Sequence, residues 1–81
     1  MRISRRIEVR TLRKILEFAS LHGPQKKTNM ATNCKMSYSR FIPLLNVMAL
    51  LGLLEIVEST GNYIVITELG KIVLERLQKI T

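Results

Sequence analysis

The strongest constraint on this chain lies in its middle. Phe41, Leu44, Leu45, Met48 and Leu51 recur at i, i+3, i+4, i+7 and i+10, and Gly52 follows at once. That spacing predicts a helix with one core-facing stripe, closed by Gly52 at its C′ position. Residues 53–58 (Leu-Leu-Glu-Ile-Val-Glu) and 62–67 (Asn-Tyr-Ile-Val-Ile-Thr) come next. Both are β-rich, and they flank Ser59-Thr60-Gly61, which reads as a hairpin. Phe41 to Leu54 is a long apolar stretch, but it includes Pro43, Asn46 and Gly52 and ends at Glu55. A membrane-spanning helix needs about 20 apolar residues, so a buried helix followed by a strand is expected. Pro43 is the misfit: inside a helix it removes a hydrogen bond and costs about 3 kcal/mol. An irregular or late start to this helix is therefore expected.

The flanking segments are helical by pattern. Leu12, Ile15, Leu16 and Ala19, extended by Val9, form a stripe over residues 6–21. Arg6, Arg10 and Arg13 lie on another face, with Glu17 placed to pair with Arg13. Gly23-Pro24 ends this helix. Lys26-Lys27 lie in a short connection that can pair as a brief strand. Residues 28–35 read as a second, short helix with Thr28 as N-cap and Met30, Ala31 and Cys34 on its apolar side. A tight turn at 35–37 follows, and Ser37 or Ser39 caps the third helix. Thr67 caps a last helix over 68–80, striped by Leu69, Ile72, Val73, Leu77 and Ile80, with Leu74 off the stripe. Glu75 and Lys79 form an i, i+4 pair in the favoured order.

Size and charge narrow the function. At 81 residues the chain is expected to form one domain, too short for a two-domain enzyme. The net charge is +7, a balance that suggests a polyanionic partner. It is unevenly spread: residues 1–46 hold ten basic side chains against two acids, a charge of +8. Residues 47–81 hold three against four, a charge of −1. The N-terminus, Met1-Arg2-Ile3-Ser4-Arg5-Arg6, leads into no apolar segment of the signal-peptide kind. Cys34 has no partner cysteine, which fits a reducing cytosol, and it reads as a small core residue rather than a redox switch. His22 sits by the helix stop and reads as a cap on the last turn. The chain has no Asp, and neither metal-ligand spacing nor a catalytic motif stands out. An enzyme is not expected, nor a cofactor or small-molecule ligand.

The order helix, connection, helix, turn, helix, hairpin, helix is that of a winged helix, a helix-turn-helix with a hairpin appended. The fold class expected is α+β: a three-helix core, a β-hairpin wing and a C-terminal helix. Several pieces of sequence carry a family likeness. They are Thr28-Asn-Met-Ala-Thr-Asn-Cys-Lys-Met-Ser-Tyr38, Phe41-x-x-Leu44-Leu45-x-x-Met48, Gly52-Leu53 and Tyr63-x-x-x-Thr67-x-x-Gly70-Lys71. Together, over roughly residues 9–78, the chain resembles the archaeal winged-helix regulator family, whose members occur in archaeal chromosomes, viruses and plasmids. The resemblance implies a DNA-binding transcriptional regulator, often dimeric through the helix after the wing.

The residues assign roles on their own terms. Ser37, Tyr38, Ser39 and Arg40 open the third helix, where an exposed face can read base edges. Arg40 can pair bidentately with guanine or bind a phosphate, and both readings stand. Asn46 reaches DNA only if the helix lies deep in the groove. Lys26, Lys27, Thr28 and Lys35 are candidate phosphate ligands beside the second helix. Arg2, Arg5 and Arg6 form a candidate arm or a solubilising tail. The wing tip, Glu58-Ser59-Thr60-Gly61-Asn62, carries no Lys or Arg, so only Thr60 and Asn62 are candidate contacts there. Leu69, Ile72, Val73, Leu77 and Ile80 can seal a homodimer, since a domain this small is marginal alone. A two-fold dimer reads half-sites about one helical turn apart. The expected partner is double-stranded DNA, in the cytoplasm or at the nucleoid, or in the host cytoplasm if virus-encoded. The rival is a winged-helix adaptor or assembly subunit that binds protein.

Overall fold

The computed structural model describes residues 9–58 and 62–80, the last by its backbone only. The elements run α1 (Val9–His22), β1 (Gln25–Lys26), α2 (Lys27–Asn33), α3 (Tyr38–Leu50), β2 (Leu54–Val57), β3 (Tyr63–Ile66) and α4 (Glu68–Ile80). The three strands form one antiparallel sheet in the order β1-β3-β2. The expected α+β winged helix-turn-helix is therefore what the chain adopts, with the brief strand at Gln25–Lys26 while Lys27 opens α2.

The core gathers one face from each element. Ile15, Leu16 and Ala19 come from α1, Met30 and Ala31 from α2, and Phe41, Leu45 and Met48 from α3. Leu54 and Ile64 come from the hairpin and Leu74 from α4. Register explains the hairpin's two faces. Leu54 pairs with Ile66 and Ile56 with Ile64, while Glu55 pairs with Val65 and Val57 with Tyr63. The first two pairs point inward because successive strand residues alternate between faces.

Three helix ends are closed by left-handed residues. Gly23 (φ +71°) closes α1, its N–H bonding to the Ala19 carbonyl at 3.1 Å. Gly52 (φ +82°) closes α3 in a Schellman motif, with Gly52 N–H to Ala49 O at 3.0 Å and Leu53 N–H to Met48 O at 2.9 Å. The same pair of bonds closes α2, Lys35 N–H to Thr32 O at 3.0 Å and Met36 N–H to Ala31 O at 2.9 Å. There the left-handed residue is Lys35 (φ 59°) rather than glycine.

Thr67 ties the second half of the fold together. Its Oγ1 accepts the Gly70 N–H at 3.0 Å, the N-cap bond expected for α4. Its single hydroxyl proton is shared between the Gly52 and Leu53 carbonyls, and the Thr67 N–H donates to Leu53 O at 3.1 Å. The start of α4 is thus bound to the end of α3 and the foot of the wing. The approach is so close that a Cβ on Gly70 falls 2.2 Å from the Leu53 carbonyl oxygen.

Four expectations need correction. Thr28 is not the N-cap of α2: that position belongs to Lys26, in extended geometry without a side-chain bond, and Thr28 lies inside the helix. The start of α3 is neither late nor irregular: it begins at Tyr38, after Ser37, and passes through Pro43. Pro43 is exposed, so the Ser39 carbonyl that it cannot serve faces water rather than the core. Of the two expected caps of α3, Ser37 holds the N-cap position, although its hydroxyl makes no capping bond. Leu51 caps α3 at 59% exposure instead of joining the core stripe. Leu74, placed off the stripe by pattern, joins the buried core of the described residues, on a helix that packs against α1. The start of the first helix at residues 6–8 lies outside the described residues.

The ion pairs Arg13–Glu17 (3.6 Å) and Glu75–Lys79 (3.9 Å) form as expected. Both are exposed enough to contribute little, about 0.2–0.5 kcal/mol each. Gln78 on α4 also donates to Glu17 on α1 at 3.3 Å.

The two types of glycine separate in a stability measurement. Gly70→Ala should cost about 1–3 kcal/mol or more, since backbone must move to admit a methyl group. Gly23→Ala should cost only about 1–2 kcal/mol, because space around it is open and only the left-handed backbone resists. Urea titration of both variants checks the order, and a larger loss at Gly23 contradicts the packing described.

Candidate nucleic-acid interface

The third helix, α3, leaves one side exposed. Phe41, Leu45 and Met48 turn α3 inward. Tyr38, Ser39, Arg40, Pro43, Asn46 and Leu50 are its exposed positions. Ser39, Pro43, Asn46 and Leu50 stand at i, i+4, i+7 and i+11, one row facing directly away from the core. Arg40, one residue round from Ser39, flanks that row in the first turn.

Each candidate residue has a definite place. Ser37 and Ser39 are exposed, with their hydroxyl oxygens 3.4 Å apart. The Ser37 carbonyl accepts the N–H groups of Arg40 and Phe41, so its backbone starts the helix while its hydroxyl bonds to that of Ser39. Tyr38 is half exposed, which agrees with either a contact or a cover over the core edge. Lys26 sits on the edge strand with its Nζ 5.9 Å from the centre of the Tyr63 ring. That cation–π contact holds a flexible side chain near the sheet. Lys27 is half-buried as the first residue of α2, and Thr28 is exposed in its first turn. Asn62, beside the wing tip, is exposed. Arg2, Arg5, Arg6 and Thr60 lie outside the described residues.

Lys35 is the least expected of these. A left-handed conformation costs an L-residue about 1–2 kcal/mol and is usually left to glycine. Here a lysine holds it, in the turn between the two helices. Lys14, to which the sequence assigned no role, sits close enough for its charge to act on the Cys34 thiol beside that turn. Burial pushes the Cys34 thiol up, and the nearby Lys14 charge opposes this only in part. Cys34 therefore stays a protonated, buried core side chain.

The remaining surface has other features. The α4 stripe divides: Val73 and Leu77 pack against the core cluster, while Leu69 and Ile72 are about half exposed. The Ile80 side chain lies outside what is described. Leu50 is 86% exposed, and with Leu51 it adds to the apolar surface at the end of α3. Leu69 Cδ2 lies 3.6 Å from where a Gly52 Cβ would stand, next to Leu51. His22 stacks on Phe18 with ring centres 4.4 Å apart, and its carbonyl accepts from Gln25 at 3.3 Å. No group of three or more His, Cys, Asp or Glu able to hold a metal ion occurs among the described residues. No described helix is long and apolar enough to cross a membrane.

Lys35→Gly should raise stability by roughly 1 kcal/mol, since glycine meets no steric cost at positive φ. Lys35→Val should lower it, because a β-branched side chain tolerates that conformation least. Thermal melts of both variants check this, and a destabilised glycine variant would contradict strain at Lys35.

A family model described as winged helix-turn-helix matches residues 5–81. Among solved structures the chain is similar to the MarR family transcriptional regulator of Silicibacter pomeroyi, with a TM-score of 0.73 and 19% identity. The match covers 96% of this chain and 57% of that one, so the chain spans little more than half the length of its structural neighbour. No curated protein matches the sequence at a significant level. The fold, its element order and the family match agree: this chain belongs to the winged helix-turn-helix family.

Proposed function

We propose that this protein is a sequence-specific double-stranded DNA-binding transcriptional regulator, acting as a homodimer with α3 in the major groove. One observation carries the reading: basic side chains stand on and beside the helix-turn-helix pair. Arg40 lies on the first turn of α3, Lys35 just before it, and Lys26 and Lys27 at the start of the partner helix α2. Phosphate contacts from these lysines would supply most of the affinity, and the α3 side chains the sequence preference. The role is a binding one, with no cofactor and no catalytic step. The motif likeness to archaeal regulators supports a small regulator of archaeal, viral or plasmid origin. A DNA target would place it in the cytoplasm, at the nucleoid.

The dimer rests on the apolar surface that α4 does not bury in its own core. Leu69 and Ile72 are its outward residues, and Leu50 and Leu51 extend it. Val73 and Leu77 serve the monomer core first, so they border such an interface rather than fill it. The same apolar surface favours a second reading, a winged-helix adaptor that binds another protein.

Arg40→Ala should weaken binding to a selected site by about 1–3 kcal/mol more than binding to random duplex. Gel-shift titration on both duplexes measures this, and equal losses would make Arg40 a phosphate ligand only. Light scattering at micromolar concentration should give about twice 9.3 kDa. A monomer under those conditions would remove the two-fold site and favour the adaptor.

A further inference from the structure

Two weak helix formers stand on the one face of α3 that packs against nothing. Pro43 and Asn46 are both exposed, in the row Ser39–Pro43–Asn46–Leu50. Folding does not ask for either: proline removes a backbone donor, and asparagine competes with the helix for hydrogen bonds. Residues that break a local rule without a packing gain mark functional positions.

The side chains themselves say which function. Two other asparagines of the helix-turn-helix have partners, one within its own helix and one on the strand before it. Asn33 Nδ2 donates to the Asn29 carbonyl at 2.8 Å, and Asn29 Nδ2 donates to Gln25 Oε1. The Asn46 amide, by contrast, makes no hydrogen bond or other polar contact with the described residues. It presents a paired donor and acceptor outward. In the major groove that pair matches the N7 acceptor and N6 amino donor of adenine. The Pro43 ring offers no polar group at all. The apolar group on the major-groove edge is the thymine methyl. Ser39 to Asn46 spans seven residues, about 10.5 Å of helix. That length covers about three base-pair rises of 3.4 Å.

We infer that Pro43 and Asn46 set the base preference of the protein: Asn46 pairs with an adenine, and Pro43 packs on the methyl group of a thymine within about three base pairs of it. The inference rests on the DNA-binding reading above and adds to it which bases are read and by which residues. It moves specificity from the polar first turn toward the middle of α3, and leaves Arg40 at the border of an A·T-containing half-site.

The test uses the full chain and duplexes bearing single-atom changes. A duplex enriched from random sequence is remade with deoxyuridine for each thymine in turn, which removes only the methyl group. It is also remade with 7-deazaadenine for each adenine, which removes only N7. One uridine position should weaken the wild-type protein several-fold while leaving Pro43→Ala indifferent. One deazaadenine position should weaken the wild type by about 5–150-fold while leaving Asn46→Ala indifferent. Both variants should lose more affinity for the selected duplex than for random duplex, whose binding rests mainly on phosphate contacts. Pro43→Ala should also melt at higher temperature than the wild type, so its loss of discrimination is not a loss of fold. If duplex binds but every analogue binds equally well, or if both variants lose random-duplex affinity to the same extent, the assignment is overturned. If the wild type binds no duplex at low salt, the DNA reading itself fails and the assignment falls with it.

Discussion

The geometry of the second half of this protein depends on the contact between Thr67, Gly70 and the backbone of Gly52 and Leu53. Thr67 caps α4 and at the same time bonds to the carbonyls that end α3 and begin the wing. Gly70 admits the helix to this junction because it carries no Cβ. Without that approach α4 would not reach α1, where Leu74 completes the core. Nor would the wing be fixed at its foot. The Schellman closure at Gly52 is part of the same unit, since Leu53 leaves α3 in the direction that brings its carbonyl to Thr67. The orientation of α3 follows: Phe41, Leu45 and Met48 lock inward, and the opposite row is left to solvent.

On that scaffold Lys26, Lys27, Lys35 and Arg40 lie on or beside the helix-turn-helix pair. Their arrangement contains a cost that folding alone does not explain. Lys35 holds a left-handed turn that glycine would hold without strain. Pro43 sits inside the helix that faces outward. Both lie on the proposed DNA side and neither improves packing. The buried face, by contrast, has none of these exceptions: every buried residue of the core is apolar. The wing adds little positive charge to this side. Its described outer residues include Glu55 and Glu58, and Lys26, which pairs with Tyr63 of the wing, belongs to the edge strand.

Much of the fold was legible in the sequence because the strongest signals were local and periodic. The stripes at Leu12–Ile15–Leu16–Ala19 and Phe41–Leu45–Met48, the β-rich pair of segments and the closing glycines each specify an element without tertiary information. The misses occurred where tertiary packing overrides a local pattern. Thr28 has cap chemistry, but the chain enters α2 two residues earlier because Gln25–Lys26 pair with β3. Leu51 fits the spacing of the α3 stripe, but as the C-cap residue at the helix end it stays exposed. Leu74 was off the pattern of α4, but it joins the buried core, on a helix that packs against α1. For the site, the basic residues and the first turn of α3 could be found from sequence. The strain at Lys35 and the unbonded amide of Asn46 could not, because each depends on backbone angles or on which partners are missing.

The central claim is that this surface binds the DNA backbone through several lysines and arginines at once. It is tested most directly by the affinity for duplex DNA as a function of salt concentration. If about 6–10 phosphates are neutralised, log K should fall linearly with log salt, losing about 10³–10⁵ in affinity between 50 and 200 mM. A flat salt dependence, or no duplex binding at low salt, would contradict the account and leave the exposed apolar surface of α3 and α4 as the better guide to function.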